Sequence, residues 1–142
     1  MTIVADQKVD LLRAVELFTG LDESTLRSLA EATTEVEFEP GRYIVLEGQI
    51  GSGLFVIIRG TVRIVHGDEV LARLGPGDFF GELAVLDQAP RSASAVAEES
   101  TACLALASWD LLKLLERDPK LSLALLRALA GRIRSFAEHH RH

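Results

Sequence analysis

The chain has 142 residues, 48% of them apolar and 25% charged, with a formal net charge of −6. That is the length of one ordinary domain with a core of its own, in the composition range of a soluble globular protein, and no run approaches the roughly 18 apolar residues of a membrane span. A sequence pI near 5.2 disfavours non-specific nucleic-acid binding by the domain as a whole, but a local cation with aligned amides can still hold a small anion.

The opening residues, Met1 to Lys8, lack the basic start and apolar run of a secretory signal. From about residue 8 to 34 the pattern is helical, with Leu11, Leu12 and Val15 and then Leu26, Leu29 and Ala30 at three- and four-residue spacing. Asp22 is a suitable N-cap for the second of these helices, and Glu23 favours the positive end of its dipole.

Residues from about 35 to 107 read as short strands separated by glycine corners. Val36-Glu37-Phe38, Tyr43-Ile44-Val45-Leu46, Phe55-Val56-Ile57-Ile58, Val62-Arg63-Ile64-Val65 and Val70 to Leu74 are followed by Ala93–Ala97 and Ala102–Ala107. Between them lie Pro40-Gly41, Glu47-Gly48, Arg59-Gly60, His66-Gly67-Asp68 and Gly75-Pro76-Gly77-Asp78. This spacing predicts a small antiparallel barrel or jelly roll. Cys103 is the sole cysteine, which excludes an internal disulfide and a cysteine-ligated iron–sulfur cluster. It sits in an apolar run as a small core residue, and a reducing cytoplasm is the expected compartment.

From about 108 to 140 the chain is helical again. Ser108 is placed to cap one helix, and Asp118-Pro119 gives a cap followed by proline at the first helical position of the next. Leu121, Leu125, Leu129, Ile133 and Phe136 form a stripe expected to cover the mouth of the roll.

The segment Phe80 to Ala95 carries the chemistry. Gly81 lets backbone approach a ligand at a helix start, where the N–H groups of Leu83 and Ala84 have no intrahelical partners. Arg91 adds a permanent cation able to bond two phosphate oxygens, and Ser92 adds a hydroxyl or its own N–H. Glu82 only accepts when ionised, so beside a phosphate it suits a sugar hydroxyl. The division of labour fits a ligand with one phosphate next to a free sugar hydroxyl. A plainer alternative is an ion pair between Arg91 and Glu82 in a structural loop.

Phe80-Gly81-Glu82-Leu83-Ala84 with Pro90-Arg91-Ser92-Ala93 resembles the phosphate-binding cassette of the cyclic nucleotide-binding domain family, known from catabolite activator proteins, protein kinase A regulatory subunits and cyclic-nucleotide-gated channels. Leu17-Phe18-Thr19-Gly20-Leu21 is similar to the family's entry helix, and Pro40-Gly41, Gly48, Gly53, Phe55, Gly60 and Val62 are similar to its barrel turns. Ser100-Thr101-Ala102-Cys103 and Asp118-Pro119 resemble the segments before its last two helices. The resemblance implies a mainly β fold with flanking helices: an eight-stranded antiparallel β jelly-roll barrel with N-terminal helices and a C-terminal helical lid, in one domain over residues 1–142. It implies cyclic AMP or cyclic GMP as ligand and no further cofactor. Arg91 would pair with the cyclic phosphate and Glu82 with the ribose 2′-OH. Gly81, Leu83 and Ala84 would offer backbone contacts, Ser92 would bond phosphate or a purine edge, and Phe80 and Ala93 would flank the ligand.

At the lid, the register set by Asp118-Pro119 puts Phe136 and Ala137 where the bacterial activators offer hydroxyls to adenine. Phe136 can cap the purine or fill core. Arg132 and Arg134 lie within a turn of it, able to stack on the base, although a solvated helix face is the simpler reading of both. Trp109 reads as a packing anchor, His66 as an isolated turn residue, and His139, His140 and His142 as solvated terminal groups. The strand region has no histidine–carboxylate set for a metal-dependent cupin, and Ser-His-Asp chemistry has no credible spacing.

The residues therefore point to a non-catalytic sensor that binds a cyclic nucleotide and signals through its last helix. A degenerate interaction domain is the competing expectation, as is the sensor part of a larger channel, kinase, transferase or transcription regulator. Direct contact with nucleic acid is not expected, since no helix-turn-helix follows the long helix before His142, and membrane contact is not expected for want of a long apolar run. That helix can pair with a second copy in a homodimer, or pass the signal to a fused or partner effector.

Overall fold

The computed structural model describes residues 4–50, 53–82, 86 and 89–139. Two helices, α1 (Ala5–Arg13) and α2 (Glu23–Ala32), flank a 3₁₀ turn at Glu16–Phe18. Asp22 occupies the N-cap of α2, but its side chain makes no capping bond. Among the described residues eight strands follow: β1 (Thr33–Phe38), β2 (Tyr43–Val45), β3 (Gly53–Arg59), β4 (Val62–His66), β5 (Glu69–Leu74), β6 (Phe79–Phe80), β7 (Ser94–Ala97) and β8 (Thr101–Ala107). The chain ends in α3 (Ser108–Arg117) and α4 (Pro119–His139).

The strands form two antiparallel four-stranded sheets, ordered β1-β8-β3-β6 and β2-β7-β4-β5. This interleaved order is that of a jelly roll, in which each strand of one sheet crosses over to the other. The sheets share no strand, so of the barrel or jelly roll expected from the sequence the chain forms an open-sided jelly roll. Strand alternation divides the core in two. On β3, Leu54 and Val56 face the helices, where they meet Leu104 and Leu106 of β8 and Phe18, Leu29, Leu111 and Leu121. Ile57, Val62, Phe80, Ala95 and Cys103 fill the space between the sheets. Phe38, Phe55 and Phe80 run through it as an aromatic ladder, with Phe55 and Phe80 stacked at 5.3 Å and Phe38 edge-on to Phe55 at 6.5 Å.

Gly60 makes one corner obligatory. Its φ is +98°, and a Cβ there would sit 2.4 Å from Thr101 Oγ1 and 2.5 Å from the Ser100 carbonyl oxygen.

The helical ends depart from expectation in instructive ways. Asp118 does cap α4, its Oδ1 accepting from the backbone N–H of Lys120 at 3.0 Å and Leu121 at 3.4 Å. Ser108 falls inside α3, whose N-cap is Ala107. Trp109 is not a packing anchor: it is 65% exposed, while Leu111 is buried. Two residues turn an α-helix by about 200°, so the pair faces opposite ways. The stripe on α4 also breaks. Leu121 and Leu125 are buried and Leu129 is half-buried, but Ile133 is 69% exposed. Strict i, i+4 spacing drifts by about 40° per step, which carries Ile133 about 120° round from Leu121.

Burial pushes the Cys103 thiol up to about 12. The native thiol therefore stays neutral while the unfolded one ionises from about 8.5. Its contribution to stability is complete below that value and is lost as pH rises towards about 12. At pH 8, iodoacetamide should leave Cys103 unmodified in the native protein and modify it fully in urea. Fast native alkylation would contradict the burial.

Candidate functional site

A cavity of about 640 Å³ opens on the roll, lined by residues of β5, of the arms 80–82 and 90–95, and of α4. Of the residues singled out from sequence, Phe80, Gly81, Glu82, Arg91, Ser92, Ala93, Arg132 and Phe136 all line it. Leu83 and Ala84 lie outside the described residues. The rest of the wall is largely apolar and includes Val45, Ile64, Leu71 and Leu74.

Local backbone fixes the entry to the site. β6 ends at Phe80, and Gly81 follows with φ +97°. A Cβ on Gly81 would lie 2.6 Å from the Gly53 carbonyl oxygen and 2.7 Å from Arg91 Nη1, so only glycine admits the arginine beside it. The returning arm is clamped by the loop after β2. Gly48 N–H donates to the Arg91 carbonyl and Arg91 N–H to the Gln49 carbonyl, both at 2.8 Å. Ile50 bridges to Pro90, and the Glu47 N–H donates to Ser94 Oγ at 2.8 Å.

Arg91 is 7% exposed. Its Nη1 donates to the Gly81 carbonyl at 3.3 Å and its Nη2 to the Gly53 carbonyl at 3.2 Å. Burial moves its guanidinium below the usual arginine range, and the charge of nearby Glu82 opposes that shift. The Arg91–Glu82 ion pair held open by the sequence is not formed. Instead, buried Glu82 accepts from Nη1 of Arg132 on α4. Arg132 Nη2 also donates to the Phe79 carbonyl, and its guanidinium carbon stands 4.1 Å from the centroid of the Phe79 ring. The site thus offers a cation bonded to carbonyl dipoles and, apart from it, a carboxylate tied to the last helix.

The solvated-face reading of Arg132 is thereby overturned, whereas Arg134 does stand exposed and off the cavity. Phe136 is not core filler; it lines the cavity and is 59% exposed. Ala137 does not line the cavity, but Ser135 does. Helical rotation would have found this. Arg132 and Ser135 lie about 20° and 40° from Leu121, on opposite sides of it, whereas Ala137 lies about 160° away. His66 is not isolated: its Nδ1 is 3.3 Å from the Ser92 carbonyl and 3.3 Å from Glu47 Oε2. Among the described residues no group of three or more histidine, cysteine or acidic side chains could hold a metal, and no helix is long and apolar enough to cross a membrane.

The model of the cyclic nucleotide-binding domain matches residues 35–118, and the chain belongs to that family. It is 42% identical over 102 residues to the cyclic AMP receptor protein of Thermus thermophilus, a match covering 68% of this chain and 47% of that protein. It is 31% identical over 130 residues to a CRP-like cAMP-activated global transcriptional regulator of Mycobacterium tuberculosis, covering 88% of this chain and 58% of the relative. The crystal structure of the Thermus thermophilus catabolite activator protein superposes with a TM-score of 0.78 at 36% identity, over 87% of this chain and 61% of that one. The chain spans about half the length of the curated relatives it matches.

Gly81 and Gly77 separate crowding from backbone strain. Both have positive φ, but a Cβ on Gly77 meets nothing within 4 Å. Gly77→Ala should cost about 1 kcal/mol, and Gly81→Ala at least about 1 kcal/mol more, because the carbonyl and guanidinium must also move. Urea denaturation of the two variants measures the difference, and equal losses would refute the crowding.

Proposed function

We propose that this chain is a non-catalytic sensor domain that binds a 3′,5′-cyclic purine nucleotide, with Arg91 on the cyclic phosphate and Glu82 on the ribose 2′-OH. The observation that carries the reading is the state of Arg91: a buried guanidinium bonded to two carbonyls and to no carboxylate of the described residues. Such a group is poised for an anion, because charge-assisted bonds formed out of water are the strong ones. The Gly81 backbone and Ser92 complete the phosphate end, and Leu83 and Ala84 would add their N–H groups. Phe80 and Ala93 flank the ligand, and Arg132 and Phe136 close over it from α4.

Cyclic AMP is the favoured ligand, since the names of the Thermus and Mycobacterium relatives specify it. A cGMP-dependent protein kinase of Toxoplasma gondii, 36% identical over 95 residues, keeps cyclic GMP as the alternative. Ligand at Glu82 engages the group that Arg132 holds, so binding shifts the position of α4 between two states that an effector can read. We place the module in the cytoplasm, as one domain of helices about 5–32, roll about 33–107 and terminal helices about 108–139, acting through a fused or partner effector.

A second copy of this chain is a suitable partner. Leu123, Leu126, Ala130 and Ile133 are spaced three, four and three residues apart, the period of a coiled-coil seam, and all are exposed on the face of α4 away from the roll. Ile133→Asp should convert a dimer to a monomer in sedimentation equilibrium. A wild-type protein that is monomeric at high concentration would refute the seam.

Arg91→Ala should weaken binding by tenfold or more, from the loss of bonds worth about 1.5–3 kcal/mol each. Titration calorimetry with cyclic AMP and cyclic GMP, on protein refolded to remove carried ligand, measures it. Equal affinity of variant and wild type would overturn the role of Arg91, and no heat or thermal shift with either nucleotide at millimolar concentration would favour a degenerate interaction domain.

A further inference from the structure

The turn between β4 and β5 meets the returning arm of the site from outside the cavity. His66 ends β4 and does not line the cavity, whereas Ser92 and Ala93 do. Its Nδ1 stands 3.3 Å from the Ser92 carbonyl oxygen and 3.3 Å from Glu47 Oε2. Both neighbours are acceptors, so the neutral ring carries its proton on Nδ1 and shares it between them. The other oxygen of the Glu47 carboxylate accepts from the Gly67 N–H at 3.3 Å, and the Glu47 N–H donates to Ser94 Oγ at 2.8 Å. Hairpin turn, loop after β2 and returning arm are thus joined at one point.

A peptide unit is planar, so the chain turns only through the φ and ψ of each residue. Ser92 lies between two such planes. The carbonyl of the first, from Arg91 to Ser92, accepts from the Gly48 N–H at 2.8 Å. The carbonyl of the second, from Ser92 to Ala93, is held by His66. Fixing both planes fixes φ and ψ of Ser92, and with them the directions of its N–H and its side chain. The first hold is backbone to backbone, so almost any side chain would leave it in place. The second depends on one imidazole, and among the described residues it is the one hydrogen bond that Ser92 makes.

On the cyclic-nucleotide reading above, we propose that His66 is a positioning residue of this site. It touches no ligand atom, and it sets the N–H and hydroxyl of Ser92 that meet the cyclic phosphate beside Arg91. Glu47 fixes the imidazole in turn, so the phosphate end of the cavity is braced from the β4–β5 turn, a part of the roll remote in sequence from the cassette.

Calorimetry with cyclic AMP and cyclic GMP on wild type, His66→Ala and His66→Asn tests the proposal. Asparagine carries an amide nitrogen one bond from Cγ, where histidine has Nδ1, so it keeps the donor. His66→Ala should weaken the nucleotide that wild type prefers by about two- to tenfold, the range of one neutral hydrogen bond. His66→Asn should restore the affinity. Equal affinity of His66→Ala and wild type, or a loss that asparagine does not restore, overturns the positioning role alone. Nitrogen NMR of the neutral His66 ring should find its proton on Nδ1, and a proton on Nε2 overturns the bond to Ser92. Wild type that binds neither nucleotide overturns the cyclic-nucleotide reading itself. His66 is an exposed residue outside the core, so both variants keep the fold.

Discussion

The burial of the Arg91 guanidinium is the constraint around which the site is arranged. A cation taken out of water is costly, and among the described residues its hydrogen bonds go to the carbonyl dipoles of Gly81 and Gly53. Both are glycines for steric reasons. A Cβ on Gly81 would collide with the guanidinium and with the Gly53 carbonyl, and a Cβ on Gly53 would lie 2.7 Å from the Leu106 carbonyl oxygen. The loop 46–50 holds the Arg91 backbone from the other side through its own N–H and carbonyl. The roll therefore presents a cation whose position is fixed and whose charge is incompletely answered, so an anion that reaches it gains more than it would from a solvated arginine.

The second arrangement follows from the first. Were Glu82 paired with Arg91, the charge of that guanidinium would be answered within the protein. Glu82 instead bonds Arg132, with Phe79 adding its carbonyl and ring face to the same guanidinium. Charge separation at the cassette is thus stabilised by a residue brought from the opposite end of the chain. The consequence is mechanical: the carboxylate proposed for the ribose is also the attachment point of α4, so occupancy of the cavity and position of the helix are not independent.

How much of this could be read in the sequence depended on how local each feature is. The cassette is a local motif, and its glycine, carboxylate, cation and hydroxyl are ordered by one turn and its return. The strand pattern gave the roll, because period-two alternation with glycine corners has few other solutions. The open side of the roll was invisible, since sheet closure depends on pairings far apart in sequence. Two errors on the helices share one cause. Apolar residues at strict i, i+4 spacing looked like one stripe, yet the drift of a 3.6-residue turn sends Ile133 outward and puts Ser135 on the cavity wall. Trp109 was placed by its position just after an expected cap, when angular position relative to Leu111 decided the matter. The Arg132–Glu82 contact spans fifty residues and no spacing rule encodes it.

The same drift gives α4 two usable faces. Leu121, Leu125, Arg132 and Ser135 turn towards the protein, while Leu123, Leu126, Ala130 and Ile133 turn away as a seam of coiled-coil period. The helix is held at its start by the Asp118 cap and the core, and near its end by the contacts of Arg132 with Glu82 and Phe79. Seam residues near Leu123 stay close to that start, whereas Ile133 sits beside Arg132 near the end. A change at Glu82 would therefore reach a partner helix first at the Ile133 end of the seam, which places ligand contact and proposed subunit contact on neighbouring residues of a single turn.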